Sequence, residues 1–147
     1  KENETRYMED LRNSQLLAEQ RMKLSSSDQK IVNDFFREHV DRSYKTPMNC
    51  IRMNVDHTNE HRVRIFEICN LLIDSKIPFW TEVRMKNGCI PDILAPTHIT
   101  RFIEVLGTET PEDFFSKKFH KYESYGFSRK DFLLINAKVE LQVEELW

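Results

Sequence analysis

The sequence predicts an α/β domain of the α+β kind: a mixed sheet of about four strands flanked by helices, preceded by an N-terminal helical arm. Three observations predict it. From residue 58 the apolar periodicities run helix, strand, strand, strand, helix, strand. Asn87-Gly88 separates the first two strand-like runs, and Asn-Gly tolerates the positive φ values that tight hairpins need. The first three strands can then form an antiparallel meander, and the last helix supplies a crossover to the final strand.

Residues 1 to about 24 are rich in Glu, Arg, Gln, Met and Leu and lack Gly and Pro. They read as a helix with a modest apolar stripe of Tyr7, Leu11 and Leu17. Ser25-Ser26-Ser27 breaks it, and Ser26 with Gln29 makes the capping-box pattern of a second helix. Ile31, Val32, Phe35, Phe36 and Val40 give that helix a core face, and Thr46-Pro47 ends the region. Residues 1–46 therefore read as an arm, packed on the core or used for association, and residues 47–147 as the core domain.

Thr58 is the N-cap of a third helix through about Ser75, with Ile65, Ile68, Cys69 and Leu72 at i, i+3, i+4 and i+7. Pro78 opens a strand from Phe79 to Met85, and Lys86-Asn87-Gly88 turns it into a strand from Ile90 to Ala95. A Pro-containing turn leads to the strand Arg101 to Leu106. Thr110-Pro111-Glu112-Asp113 supplies an N-cap, a proline at the first helical position and an acidic first turn. That helix runs to about Tyr125, where Gly126 ends it. Residues 132–137 read as a buried strand and 138–147 as a short terminal helix.

A chain of 147 residues can bury a full core. Hydrophobic residues at 39% and charged residues at 31% fit a soluble globular protein. The formal net charge of -2 means that any nucleic-acid contact must use a local basic patch. With only three glycines, a P-loop and a dinucleotide fingerprint are both excluded. Cys50, Cys69 and Cys89 are odd in number and form no CxxC pair, so neither structural zinc nor a disulfide framework is expected. The expected setting is reducing and intracellular: cytoplasm, nucleus or, for a viral protein, the host cell. No apolar run approaches a membrane span, so no membrane partner is expected.

The chemistry concentrates in Ile90-Pro91-Asp92-Ile93-Leu94 and Phe102-Ile103-Glu104-Val105-Leu106-Gly107. Each run sets a carboxylate, in mid-strand for Asp92 and near the strand end for Glu104, among residues that drive burial. An ionised carboxylate is costly there unless it meets a cation or several donors. If the strands pair, both carboxylates can point to one edge and hold a divalent ion such as Mg²⁺, which prefers oxygen ligands. Such an ion polarises phosphate and activates water. The alternative is a pair of edge-strand carboxylates in solvent.

Lys118 is the third candidate. At about 100° per residue, Phe114, Phe115, Phe119, Tyr122 and Tyr125 define one helix face with Lys118 at its centre, and Lys117 and Lys121 toward its edge. A lysine there needs a negative partner, and the carboxylate–phosphate cluster is the natural one. It would orient the attacking water and stabilise developing charge. The alternative is a snorkelling lysine whose stem covers apolar surface.

Pro91-Asp92 followed by Glu104-Val105-Leu106 resembles the motif of the PD-(D/E)XK nuclease superfamily, and the element order resembles its restriction-endonuclease-like core. The resemblance covers about residues 57–137. Leu106 stands where the motif has its lysine, and Lys118 is similar to the lysine that some members carry on the following helix. The resemblance implies an Mg²⁺- or Mn²⁺-dependent nuclease hydrolysing phosphodiester bonds, as an endonuclease acting preferentially on DNA. It implies metal binding by Asp92, Glu104 and the Val105 carbonyl, with Glu82 as a further acid, and catalysis by Asp92, Glu104 and Lys118. A homodimer through the arm is compatible with nucleases that cut two strands as pairs. The rival reading is a catalytically inactive nucleic-acid-binding or assembly module of the same fold.

Arg84, Lys86, Lys117 and Lys121 offer a phosphate track, with Arg101, Arg129 and Lys130 as outlying members and Tyr122, Tyr125 and Phe127 as stacking residues. Glu60 and Glu67 fall on a solvated helix face, and Glu109 follows the motif as a loop or first-turn residue. His57 and His61 lie one helical turn apart but lack a third ligand nearby in sequence, which places them below the carboxylates as metal ligands. Cap-snatching viral endonucleases of the superfamily use an upstream histidine.

Overall fold

The computed structural model describes residues 3–10, 22–43 and 47–147. Strands β1 (Trp80–Thr81), β2 (Ile93–Leu94) and β3 (Phe102–Leu106) are antiparallel neighbours, and β4 (Phe132–Asn136) runs parallel to β3. Helices α1 (Ser26–His39) and α2 (Asn59–Asp74) precede the sheet. Helices α3 (Pro111–Lys117) and α4 (His120–Glu123) form the crossover that the parallel pair requires. The result is an α+β fold with one four-stranded mixed sheet.

Strand alternation divides the core in two. Leu94, Phe102, Leu106 and Phe132 pack with Val32 and Phe35 of α1 and with Phe114, Phe119 and Tyr122 of the crossover. Ile93, Ile103, Val105 and Ile135 pack with Ile65, Ile68, Cys69 and Leu72 of α2. Helix α1 thus lies on the sheet that the C-terminal residues build. Residues 3–10 are helical and exposed, Tyr7 included. Leu11, Leu17 and Thr46 lie outside the described residues.

Several boundaries differ from the sequence expectation, each for a local reason. The N-cap of α1 is Ser25, not Ser26: its extended backbone lets the hydroxyl accept from the Asp28 N–H at 3.1 Å. Ile31 then falls on the solvent side. The first predicted strand stops at Thr81 because Glu82 adopts a left-handed backbone, φ 56°. From there the chain turns toward the end of α1, where Met85 bridges Val40, the Lys86 N–H donates to the His39 carbonyl and the Asp41 N–H donates to the Arg84 carbonyl. Gly88, φ +86°, closes the following turn with an N–H to the Met85 carbonyl at 2.9 Å. The second strand begins at Ile93 rather than Ile90.

The helix predicted to reach Tyr125 breaks at Lys118–Phe119. Both N–H groups donate to the Phe114 carbonyl, at 2.9 and 3.3 Å, so the second bond spans five residues. The tail forms a 3₁₀ turn, Val143–Leu146, that buries Leu146.

Thr58 caps α2 as expected, its hydroxyl accepting from the His61 N–H at 3.2 Å. Thr58→Ala should cost about 1 kcal/mol in urea unfolding. Because the capped turn carries His61, the substitution tests the seating of that histidine as well.

Candidate metal centre

The register of β2 on β3 builds the centre. Ile93 pairs with Ile103, so the next positions outward set Asp92 opposite Glu104 and Pro91 opposite Val105. The Ala95 N–H to Arg101 carbonyl bond, 2.8 Å, fixes the phase of the ladder. In antiparallel pairs hydrogen-bonded and non-hydrogen-bonded positions alternate. Asp92, just before β2, continues that phase to a non-hydrogen-bonded position facing Glu104, where side chains approach closest, and the ladder ends there. Pro91 has no N–H to offer the Val105 carbonyl. The Val105 N–H donates to Asp92 Oδ2, at 2.8 Å, and not to a strand carbonyl. The N–H and C=O of one strand residue face the same edge, so the Val105 carbonyl faces the edge that Asp92 occupies.

Helix α2 brings two imidazoles to that edge. His57 precedes the N-cap and His61 sits in the first turn; their rings stack 3.9 Å apart at 14°. His61 Nε2 is 3.2 Å from Asp92 Oδ2, and His57 Nε2 is 3.9 Å from Asp92 Oδ1. One ligand atom from each of His57, His61 and Asp92 lies within 4.8 Å of the others. The His61 contact has ion-pair distance but poor hydrogen-bond alignment, which leaves a buried Nε2 without a hydrogen-bond partner. Buried polar atoms of this kind call for an explanation, and an ion is one. Two imidazoles and one carboxylate form a donor set of the kind that holds a divalent transition metal, and Glu104 lies against Asp92 outside that group.

The electrostatics of the pair are unequal. Burial pushes the Glu104 carboxyl well above the ordinary carboxylate range, and the neighbouring Asp92 charge pushes it further. Burial also acts to raise Asp92, but the His61 ring and the Val105 amide outweigh it and hold Asp92 below its ordinary value. Of two carboxyls in contact, Glu104 is the one that keeps a proton.

The pair opens into a cleft of about 780 Å³. His57, His61, Asp92, Glu104, Val105, Lys117, Lys118 and Lys121 all line it. Lys118 does not sit buried among aromatics, as the helical face predicts. The break at Lys118–Phe119 turns Phe119 and Tyr122 inward and leaves the Lys118 side chain 58% exposed, its Nζ 3.0 Å from Glu109 Oε1. Glu109 and Glu60 also line the cleft, whereas Glu67 pairs with Arg64 at 2.9 Å.

Other candidates lie elsewhere. Glu82, Arg84 and Lys86 are not among the cleft-lining residues. The left-handed turn at Glu82 carries them toward α1, where Lys86 Nζ donates to the Arg37 carbonyl at 2.7 Å. Arg101 is held by Asp131 at 2.8 Å and lies over the Phe35 and Phe127 rings, and Arg129 lies over Phe115. Tyr122 and Phe127 are core residues, so only Tyr125 of the three proposed stacking residues is exposed.

The structure sets beside His57 and His61 the third donor that their sequence neighbourhood lacks. Their signal was the Thr58 cap, which fixes His57 and His61 on one turn; the third ligand, Asp92, is distant in sequence. Lys138 is a further lining residue that was not singled out. Comparison with family models, curated proteins and solved structures returned no match to this chain.

Proposed function

We propose that this chain is a metal-dependent nuclease that hydrolyses phosphodiester bonds, with a core resembling the PD-(D/E)XK superfamily. The observation that carries the reading is the cross-strand pair Asp92–Glu104, which meets the His57–His61 stack at the floor of a lysine-lined cleft. The order meander, crossover helix, parallel strand supports it as well.

Asp92, with Glu104 and the Val105 carbonyl beside it, would supply the oxygen donors, and His57 and His61 the nitrogen donors. Imidazole in the set favours Mn²⁺ over Mg²⁺, because Mg²⁺ prefers oxygen throughout. When bound, such an ion supplies a Lewis acid for phosphate and a water of lowered pKa. Lys118 holds the charge of the scissile phosphate and orients the attacking water. Its Glu109 partner keeps the ammonium at the cleft until phosphate competes for it. In this reading Lys118, the residue that caps α3 at its C-terminus, takes the role that Leu106 cannot perform.

The test is incubation with labelled single-stranded, duplex and branched DNA and with RNA, in Mn²⁺, Mg²⁺ and EDTA. Metal-dependent cleavage lost in both Asp92→Ala and Glu104→Ala supports the reading, and cleavage that survives both removes it. Leu106 at the motif position and the Glu109-paired Lys118 favour one rival, a binding module without activity. Binding without cleavage in any metal would establish that rival.

Pro91 gives a finer test. Pro91→Ala returns an N–H opposite the Val105 carbonyl and lets the ladder compete for it. Mn²⁺ affinity, read by calorimetry, should fall about tenfold, as for loss of an outer-shell partner. Unchanged affinity would remove the Val105 carbonyl from the donor set.

A further inference from the structure

We infer that the cleft takes a single strand of nucleic acid rather than a duplex, a reading that rests on the proposed nuclease activity. The charge around the cleft is uneven: Lys118 is paired with Glu109 and Lys138 also lines it, but two further lysines and two further acids come from different elements. Lys117 and Lys121, on either side of the break between α3 and α4, are exposed and line the cleft. Asp56 and Glu60, from the segment that opens α2, are exposed and line it as well. Phosphate affinity comes from lysine and arginine, and like charges repel. One backbone can follow the two lysines down to Asp92 and Glu104. The second backbone of a duplex would be brought against the two acids.

An apolar residue at the cleft points the same way. Ile90 lines it and is 52% exposed. Bases of a duplex are stacked on one another and present only edges. Bases of a single strand are free to rest on an apolar side chain. The reacting groups also lie deep: Asp92 is only 9% exposed. A phosphate must descend between the walls to reach it, which a flexible strand does more readily than a stiff double helix.

The experiment is fluorescence anisotropy of the wild-type chain in EDTA, so that binding is read without cleavage. The probes are a labelled 15-nucleotide DNA, the RNA of the same sequence, and the duplex of each. At least one single strand should bind about tenfold or more tighter than its duplex, and the DNA and RNA arms show which sugar is preferred. Lys117→Glu with Lys121→Glu should weaken single-strand binding about tenfold; both side chains are exposed, so folding is spared. Asp56→Lys with Glu60→Lys should strengthen duplex binding and narrow the ratio to about threefold or less. Duplex binding equal to or tighter than single-strand binding overturns the inference, as does absence of binding to any probe or indifference to the lysine reversals. The two readings fail separately. Single-strand binding without metal-dependent cleavage sinks the nuclease alone, and cleavage of duplex at the single-strand rate sinks this inference alone.

Discussion

Asp92→Asn should lower metal-dependent cleavage by about a thousandfold or more, which corresponds to about 4 kcal/mol of transition-state stabilisation. The size follows from how many tasks converge on one carboxylate. Asp92 faces Glu104 across the ladder, accepts the Val105 N–H at 2.8 Å, and lies 3.2 Å from His61 Nε2. Asparagine keeps an oxygen for the Val105 amide, so the strand end stays in place while the charge that draws the metal is lost. Asp92→Ala removes both and leaves the amide unsatisfied, with a stability cost of about 1–3 kcal/mol. The contrast separates chemistry from architecture. Single-turnover rates should collapse in both variants, whereas the urea midpoint should fall clearly only in the alanine variant. An Asn variant within tenfold of the wild-type rate would remove Asp92 from the reacting centre.

Much of this arrangement was written in local signals. Thr58 and Thr110 announce their helices through side chains that reach a backbone N–H three residues on, and both caps are present. The strand at Phe102–Leu106 was legible because its apolar run is continuous, as a central strand buried on both faces requires. Asp92 and Glu104 stood out because a carboxylate in such a run conflicts with its surroundings. Strand lengths were less legible. Nothing in Trp80-Thr81-Glu82-Val83-Arg84 marks Glu82 as left-handed; the packing of Val83 and Met85 against α1 sets it there. Lys118 shows the limit of the helical wheel. An ideal 100° step places it among the aromatics, and the single i→i+5 bond at Phe119 is enough to swing it to the cleft. The grouping of the histidines with Asp92 was not legible because Asp92 lies thirty-odd residues away, and only tertiary structure brings it to them.

The thermal stabilisation of the chain by Mn²⁺ should grow as pH rises from about 5 to 8, and Glu104→Gln should abolish that growth. Glu104 carries a folded-state pKa well above its ordinary 4.5, from burial first and the Asp92 charge second. Above 4.5 the unfolded chain releases this proton while the folded chain still holds it. The metal-free fold therefore loses stability as pH rises through that window. Asp92 has the opposite sign: its pKa is lowered, so its contribution is present above 3.8 and lost only as pH falls. At neutral pH the strain in the pair is thus chiefly that of Glu104. A divalent ion takes the place of the proton, so Glu104 ties metal affinity to rising pH. At about a hundredfold excess over its dissociation constant, Mn²⁺ should add about 2.7 kcal/mol, or about 5–10 °C in Tm for a chain of this size. Glutamine cannot ionise. In Glu104→Gln the metal-free protein should lose the decline with pH, gaining stability near neutrality, while the Mn²⁺ shift falls to a degree or two. A Mn²⁺ shift that persists in the glutamine variant would mean that the ion binds the histidines and Asp92 without Glu104. The cross-strand pair would then be a structural proton-sharing contact and no part of the metal centre.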